Sequence, residues 1–193
     1  MLVAVALTLA PPVVFGGRWP DYSAVRDYIS ELGAGGAPDA AAVNLSFAIA
    51  GVAVVWACGA LGQAVPVLRR SLWLVAAIGV SYIVAALAPC DAGCPADGSS
   101  RQMFHNISGA VGYLTGGTGL LLAGRALAAN GRPVLAWGAR LAGVMAVGGL
   151  VAMGAPELAD VRGLTQRLVE VAAFTWLLAM AAATRRGLVH PER

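Results

Sequence analysis

His105, Asp91 and Glu31 are the side chains of this sequence best suited to moving a proton, and Arg167 is the cation best placed to hold an acidic group. A histidine titrates near neutral pH and acts as acid, base or ligand. His105 opens an apolar stretch with Asn106 beside it and Ser108 and Gly109 about one helical turn on. Asp91 comes just before the same helix pair and Glu31 closes a short periodic segment, so either carboxylate is expected to orient the imidazole. In that constellation His105 is the general base or acid that activates water or a hydroxyl for hydrolysis or group transfer. The competing reading is that His105 caps or anchors its helix at a membrane surface.

Gln166, Arg167 and Glu170 open another apolar stretch. Residues three and four apart share a helix face, and a carboxylate one turn into an apolar segment needs a partner or a wet cavity. A local Arg167–Glu170 pair satisfies both charges. The sharper expectation is that Arg167 holds an anionic headgroup or carboxylate while Glu170 tunes it. Asn44, opening a third apolar stretch, and Ser108 are expected at the same level. Helix N-termini carry unpaired N–H groups and partial positive charge, which favours an anion where such ends converge.

Cys90 and Cys94 flank Asp91-Ala92-Gly93. A small-loop disulfide is the first reading. Two thiolates with His105 would give three metal ligands, but the spacing is loose and a fourth ligand is not evident. A redox pair would normally read C-x-x-C. No metal and no cofactor is expected. Cys58, inside an apolar stretch, reads as buried and inert.

The elements that must position these residues are six apolar stretches, at about 2–17, 41–64, 72–89, 105–124, 134–154 and 165–184. Each is near the roughly 20 residues that a spanning helix needs. Proline and glycine mark the breaks: Pro66 and Pro89, Asn130-Gly131-Arg132-Pro133, Pro156 and Gly187. Met1 to Gly16 lacks a basic leader and a cleavage motif, so it reads as a short first span rather than a signal peptide. Within the link from Gly17 to Ala40, Tyr22, Val25, Ile29 and Leu32 recur at helical spacing, which predicts a short interfacial helix. Gly112-x-x-x-Gly116, with Gly109 and Gly119 nearby, gives a smooth ridge for close helix packing.

Charge sorts by side. Eight of the ten acidic residues fall in the first, third and fifth links, whereas eight of the thirteen basic residues, all arginine, fall in or beside the second and fourth links and the C-terminal tail. This is the positive-inside pattern of a six-helix protein with both termini in the cytoplasm. The chain is 59% hydrophobic and 12% charged, which excludes an ordinary soluble domain. All 193 residues are expected to form one transmembrane domain, with no soluble catalytic domain. The arginines form no basic stripe, so nucleic acid is not expected as a partner. They read as topology signals and contacts to anionic lipid. With abundant Ala, Gly and Arg and no Lys, the composition suits a high-GC bacterial genome and a plasma-membrane location.

Several segments together resemble the bacterial and archaeal membrane-protein family catalogued as domain of unknown function 998. They are Tyr22-Ser23, Tyr28-Ile29-Ser30-Glu31-Leu32-Gly33, Asn44 with Phe47 and Gly51, Ala88-Pro89-Cys90-Asp91, His105 with Ser108, and Gly163-Leu164-x-Gln166-Arg167. The Ile-Ser-Glu-Leu-Gly run is the most specific. The resemblance implies a six-helix membrane protein and singles out Ser30, Glu31, Asp91, His105 and Arg167 without naming a reaction. A weaker comparison, with ceramidase-type zinc hydrolases, fails for want of three histidines.

The expectation is an all-α polytopic bundle with an outer-leaflet polar pocket. That pocket binds, and as an enzyme would hydrolyse or transfer, a lipid or lipid-linked anionic group. The rival class is a non-catalytic partner subunit or a small transporter. Transport fits less well, because the spans are apolar at mid-depth and show no related halves. An oligomer or a protein partner stays open.

Overall fold

The computed structural model describes residues 10–189. Five long helices dominate it: α1 (Ala40–Ala64), α2 (Arg69–Leu87), α3 (Ser100–Ala129), α4 (Pro133–Gly154) and α5 (Arg162–Arg185). All five are long and apolar enough to cross a membrane, and no strand occurs among the described residues. The chain is thus an all-helical polytopic bundle. Half of the first expected span, 2–17, lies outside the described residues; within them, 10–14 are helical.

Local chemistry sets the helix ends. The Ser99 hydroxyl accepts the Gln102 N–H at 3.2 Å, an N-cap that starts α3 five residues before the apolar stretch does. Gly131, at φ +67°, turns the chain after α3, and Pro133 opens α4, where its missing N–H costs no helix bond. Pro66 and Pro156 each begin a 3₁₀ turn that leads into the next helix.

Each long helix packs chiefly on its neighbours in the chain, and α5 returns to touch α1. Small residues let the backbones approach, as packing in lipid requires. A Cβ at Gly51 of α1 would sit 2.5 Å from the Gly79 carbonyl oxygen of α2. A Cβ at Gly112 of α3 would sit 2.5 Å from the Ser81 hydroxyl, and one at Gly119 2.7 Å from the Ser71 carbonyl oxygen of α2. Leu72, Leu120, Phe174, Leu177 and Met180 fill the centre. Outward faces carry exposed Trp56, Trp73, Trp137, Leu141 and Val151, a surface that suits hydrocarbon rather than water.

The first, third and fifth links gather at one end of the bundle. In the first link the short helix is a five-residue 3₁₀ turn, Ile29–Gly33. Instead of lying along a surface it is buried, with Ile29 and Leu32 packed on Val43 and Phe47 of α1. Glu31 stabilises its start by accepting the Tyr28 N–H at 3.0 Å. The Gly35 N–H donates to the Cys90 carbonyl at 3.3 Å, which joins the first link to the third.

Candidate functional site: a cleft between α3, α4 and α5

Backbone polar groups in the first link find their partners on α5. The Ile29 N–H donates to Gln166 Oε1 at 2.7 Å, and the Leu164 N–H donates to the Val25 carbonyl at 2.9 Å. Arg167 Nη1 donates to the Asp27 carbonyl at 3.0 Å and to the Gly163 carbonyl at 2.9 Å, while Nη2 donates to the Tyr22 hydroxyl. Gly163 is the point of closest approach, since a Cβ there would collide with the Asp27 backbone. Arg167 therefore clamps the first link to α5. Its guanidinium makes no salt bridge to Glu170.

This docking leaves a cleft of about 500 Å³ between α3, α4 and α5. An inner pouch of about 60 Å³ shares Ser30, His105, Gly109, Tyr113 and Gln166 with it. Two stripes at four-residue spacing build the walls. On α3 they are His105, Gly109 and Tyr113; on α5 they are Arg162, Gln166 and Glu170. Such spacing keeps side chains on one helix face. Gly109 makes the opening: a Cβ there would meet nothing within 4 Å.

At the floor the Tyr113 hydroxyl donates to Glu170 Oε1 at 2.5 Å. Glu170 is 1% exposed, and its Oε2 has no hydrogen-bond partner among the described residues. A buried carboxylate oxygen without a donor is costly, so this atom is where the site is incomplete.

His105 Nδ1 lies 3.0 Å from the Ala88 carbonyl oxygen. A carbonyl only accepts, so Nδ1 carries the proton in the neutral ring and Nε2 keeps its lone pair. At the mouth, Arg162 stacks over the Tyr28 ring, 4.6 Å from its centroid. Its remaining contacts are long: 3.4 Å to Glu31 Oε1, 3.4 Å to the Gly93 carbonyl and 3.3 Å to the Arg26 carbonyl. The opposite wall is apolar, with Ala110, Leu150 and Met153.

The other residues singled out by sequence are distributed as follows. Ser30 and Ser108 line the pouch; the Ser108 hydroxyl donates to the His105 carbonyl at 3.0 Å. Asp91 faces away from the cleft, accepting from the Ser99 N–H at 2.8 Å, the Ser99 hydroxyl at 2.9 Å and Arg101 at 3.1 Å. The Ser99 N–H above all, then Arg101, hold its carboxyl below the usual aspartate range. Glu31 lies on the far side of the first link, in a separate recess with Tyr22 and Asp27. Burial pushes its carboxyl up, against the opposing Tyr28 N–H. Neither carboxylate lines the cleft with His105. Asn44 donates to the Gly33 carbonyl at 2.9 Å, holding the 3₁₀ turn on α1.

Cys90 and Cys94 form a close pair in position for a disulfide, with their Cα atoms 5.1 Å apart. Their sulfurs and a His105 nitrogen all fall within 4.8 Å of one another. Sulfurs bonded to each other are not thiolate ligands, so a disulfide here would leave only the His105 nitrogen of the three as a ligand. Cys58 is buried and free.

Arg162, Gly109 and Tyr113 are site residues that the sequence reading did not single out as such. The signal was present as the two spacings of four, 105–109–113 and 162–166–170.

A family model described as a protein of unknown function (DUF998) matches residues 2–183, nearly the whole chain, and the chain belongs to that family. No curated protein and no solved structure matches it.

Proposed function

We propose that this member of the DUF998 family binds a lipid or lipid-linked amphiphile in the cleft between α3, α4 and α5. The observation that carries the reading is the cleft's lengthwise polarity. Arg162 and Tyr28 stand at its mouth, an apolar wall of Ala110, Leu150 and Met153 runs beside it, and His105, Gln166 and Glu170 lie within. A cavity of about 500 Å³ with a few convergent polar groups is of ligand-binding size. The arginine distribution supports a topology with this end of the bundle on the outer side of the plasma membrane and both termini inside. Arg162 replaces Arg167 as the group that meets an anionic headgroup, because the Arg167 guanidinium is committed to the first link. A protein partner or a small transporter is the competing class.

Catalysis at the same place is a second reading, favoured by the His105 tautomer. With Nδ1–H held by Ala88, Nε2 is the base. It removes a proton from water or from a ligand hydroxyl, whose oxygen attacks the carbonyl or phosphoryl centre of the bound amphiphile; the old ester C–O or P–O bond then breaks, and the imidazolium returns the proton to the departing alcohol oxygen.

Native mass spectrometry of gently solubilised protein tests the binding reading. Wild type is expected to retain a lipid-mass adduct. Gly109→Leu, which fills open space, is expected to lose it while keeping the wild-type melting temperature. An adduct that survives Gly109→Leu unchanged would place the ligand elsewhere. A lipid-free wild type would favour the partner-subunit reading.

A further inference from the structure

We infer that the inner pouch receives a positively charged amino group of the ligand, paired with Glu170 Oε2. The inference rests on the cleft being a ligand site and adds the ligand's chemical class. Oε2 is the one buried side-chain oxygen or nitrogen without a partner among the described residues, and it belongs to a side chain 1% exposed that lines the pouch.

The surroundings favour a cation over any other occupant. Tyr113 already donates to Oε1 at 2.5 Å, so the carboxylate is held in one orientation with its second oxygen free. Tyr82 and Phe47 line the same pouch, their rings 5.5 Å apart and edge to face. The Tyr82 hydroxyl lies near the Glu170 carboxyl without making a hydrogen bond to Oε2, and an aromatic lining favours an ammonium group. A carboxylate or phosphate driven to this depth would meet Glu170 and be repelled, and no arginine lines the pouch.

The acidic and basic ends of the site are separated along one helix. Arg162 and Glu170 are eight residues apart on α5, a rise of roughly 12 Å. A ligand whose amine enters first therefore keeps its acidic or apolar part towards Arg162 and the wall of Leu150 and Met153. An amine-bearing amphiphile satisfies both ends, whereas a purely anionic lipid satisfies only the mouth.

The test compares dodecylamine with N-acetyldodecylamine on the purified full chain, read as adduct fraction by native mass spectrometry across a concentration series. The amine is protonated at pH 7, much as lysine is; the amide has a similar chain and no charge. Wild type is expected to prefer the amine by about tenfold or more, the scale of a buried charge-assisted hydrogen bond. Glu170→Gln, nearly isosteric, is expected to erase the preference, and Gly109→Leu to abolish both adducts. Equal binding of amine and amide by wild type would overturn the inference while leaving the cleft as a ligand site. Binding of neither would overturn the cleft reading and this inference with it. The wild-type comparison needs no variant, so a Glu170→Gln chain that failed to fold would not spare the claim. A folded Glu170→Gln that kept the preference would overturn it.

Discussion

Tyr113 on α3 and Glu170 on α5, 57 positions apart in sequence, share a 2.5 Å hydrogen bond that closes the floor of the cleft. The bond satisfies one carboxylate oxygen and leaves the other bare. In the folded chain without ligand, that oxygen is desolvated and has no hydrogen bond to offset its cost. Glu170→Gln is therefore expected to raise the melting temperature of the ligand-free protein, and Tyr113→Phe, which strips the donor to Oε1, to lower stability by about 1–3 kcal/mol. Thermal unfolding in detergent, followed by circular dichroism, checks both. A Glu170→Gln protein markedly less stable than wild type would mean that the carboxylate has a structural partner.

Two glycines hold the first link in place and a third does not, which gives a matched set of substitutions. Gly33→Ala is expected to cost about 1–3 kcal/mol, because its Cβ would collide with the Asn44 side chain. Gly163→Ala is expected to cost at least as much, since the obstacle is the Asp27 backbone. Gly109→Ala faces open space and gains helix propensity, so it should be neutral or stabilising by up to about 1 kcal/mol. Thermal denaturation of the three variants in one detergent reads the order.

A Cys90–Cys94 disulfide is expected to firm the third link against the cleft. Closing so short a loop stabilises by about 2 kcal/mol in the chain-entropy account. Reduction, or Cys90→Ser with Cys94→Ser, should lower the melting temperature and raise hydrogen exchange at residues 90–99. Unchanged exchange there would show that the hydrogen bonds made by Asp91, Gln102 and Asn106 hold the link without the disulfide.

Acid should loosen that link in a definite direction. The folded-state value for Asp91 lies below its unfolded one, so its contribution is present above the usual aspartate range and is lost as pH falls through the lowered value. Glu31 has the opposite sign: burial raises its folded value, so its contribution is present below the usual glutamate range and fades as pH rises through the raised value. Asp91→Asn should abolish the acid-induced rise in hydrogen exchange at 90–99, whereas Glu31→Gln should leave it intact.

The helical architecture was legible because hydropathy and proline punctuation act locally. Helices α1, α2, α4 and α5 begin and end within about three residues of the apolar stretches. α3 runs longer at both ends because Ser99 caps it and Gly131 stops it, signals that apolar content does not register. The site was only half legible. His105, Ser30, Ser108 and Glu170 do meet around one pouch. Asp91 does not join them: His105 bonds to the Ala88 carbonyl, and the chain then turns the Asp91 carboxylate towards the start of α3. Arg167 was the natural choice of cation from its neighbours in sequence. Five residues on a helix are about 140° of rotation, so Arg162 faces the cleft while Arg167 faces the first link. Choosing between them requires knowing which helices adjoin, and that is set by packing among glycines rather than by either arginine.

Photolabelling with a diazirine-bearing lipid, followed by peptide mapping, tests the cleft most directly. Adducts are expected on the cleft wall at Ala110, Leu150 and Met153, and they should disappear in Gly109→Leu while background labelling persists. Labels confined to outward-facing positions such as Trp73, Leu141 and Val151, and equal in both proteins, would contradict a ligand site between α3, α4 and α5.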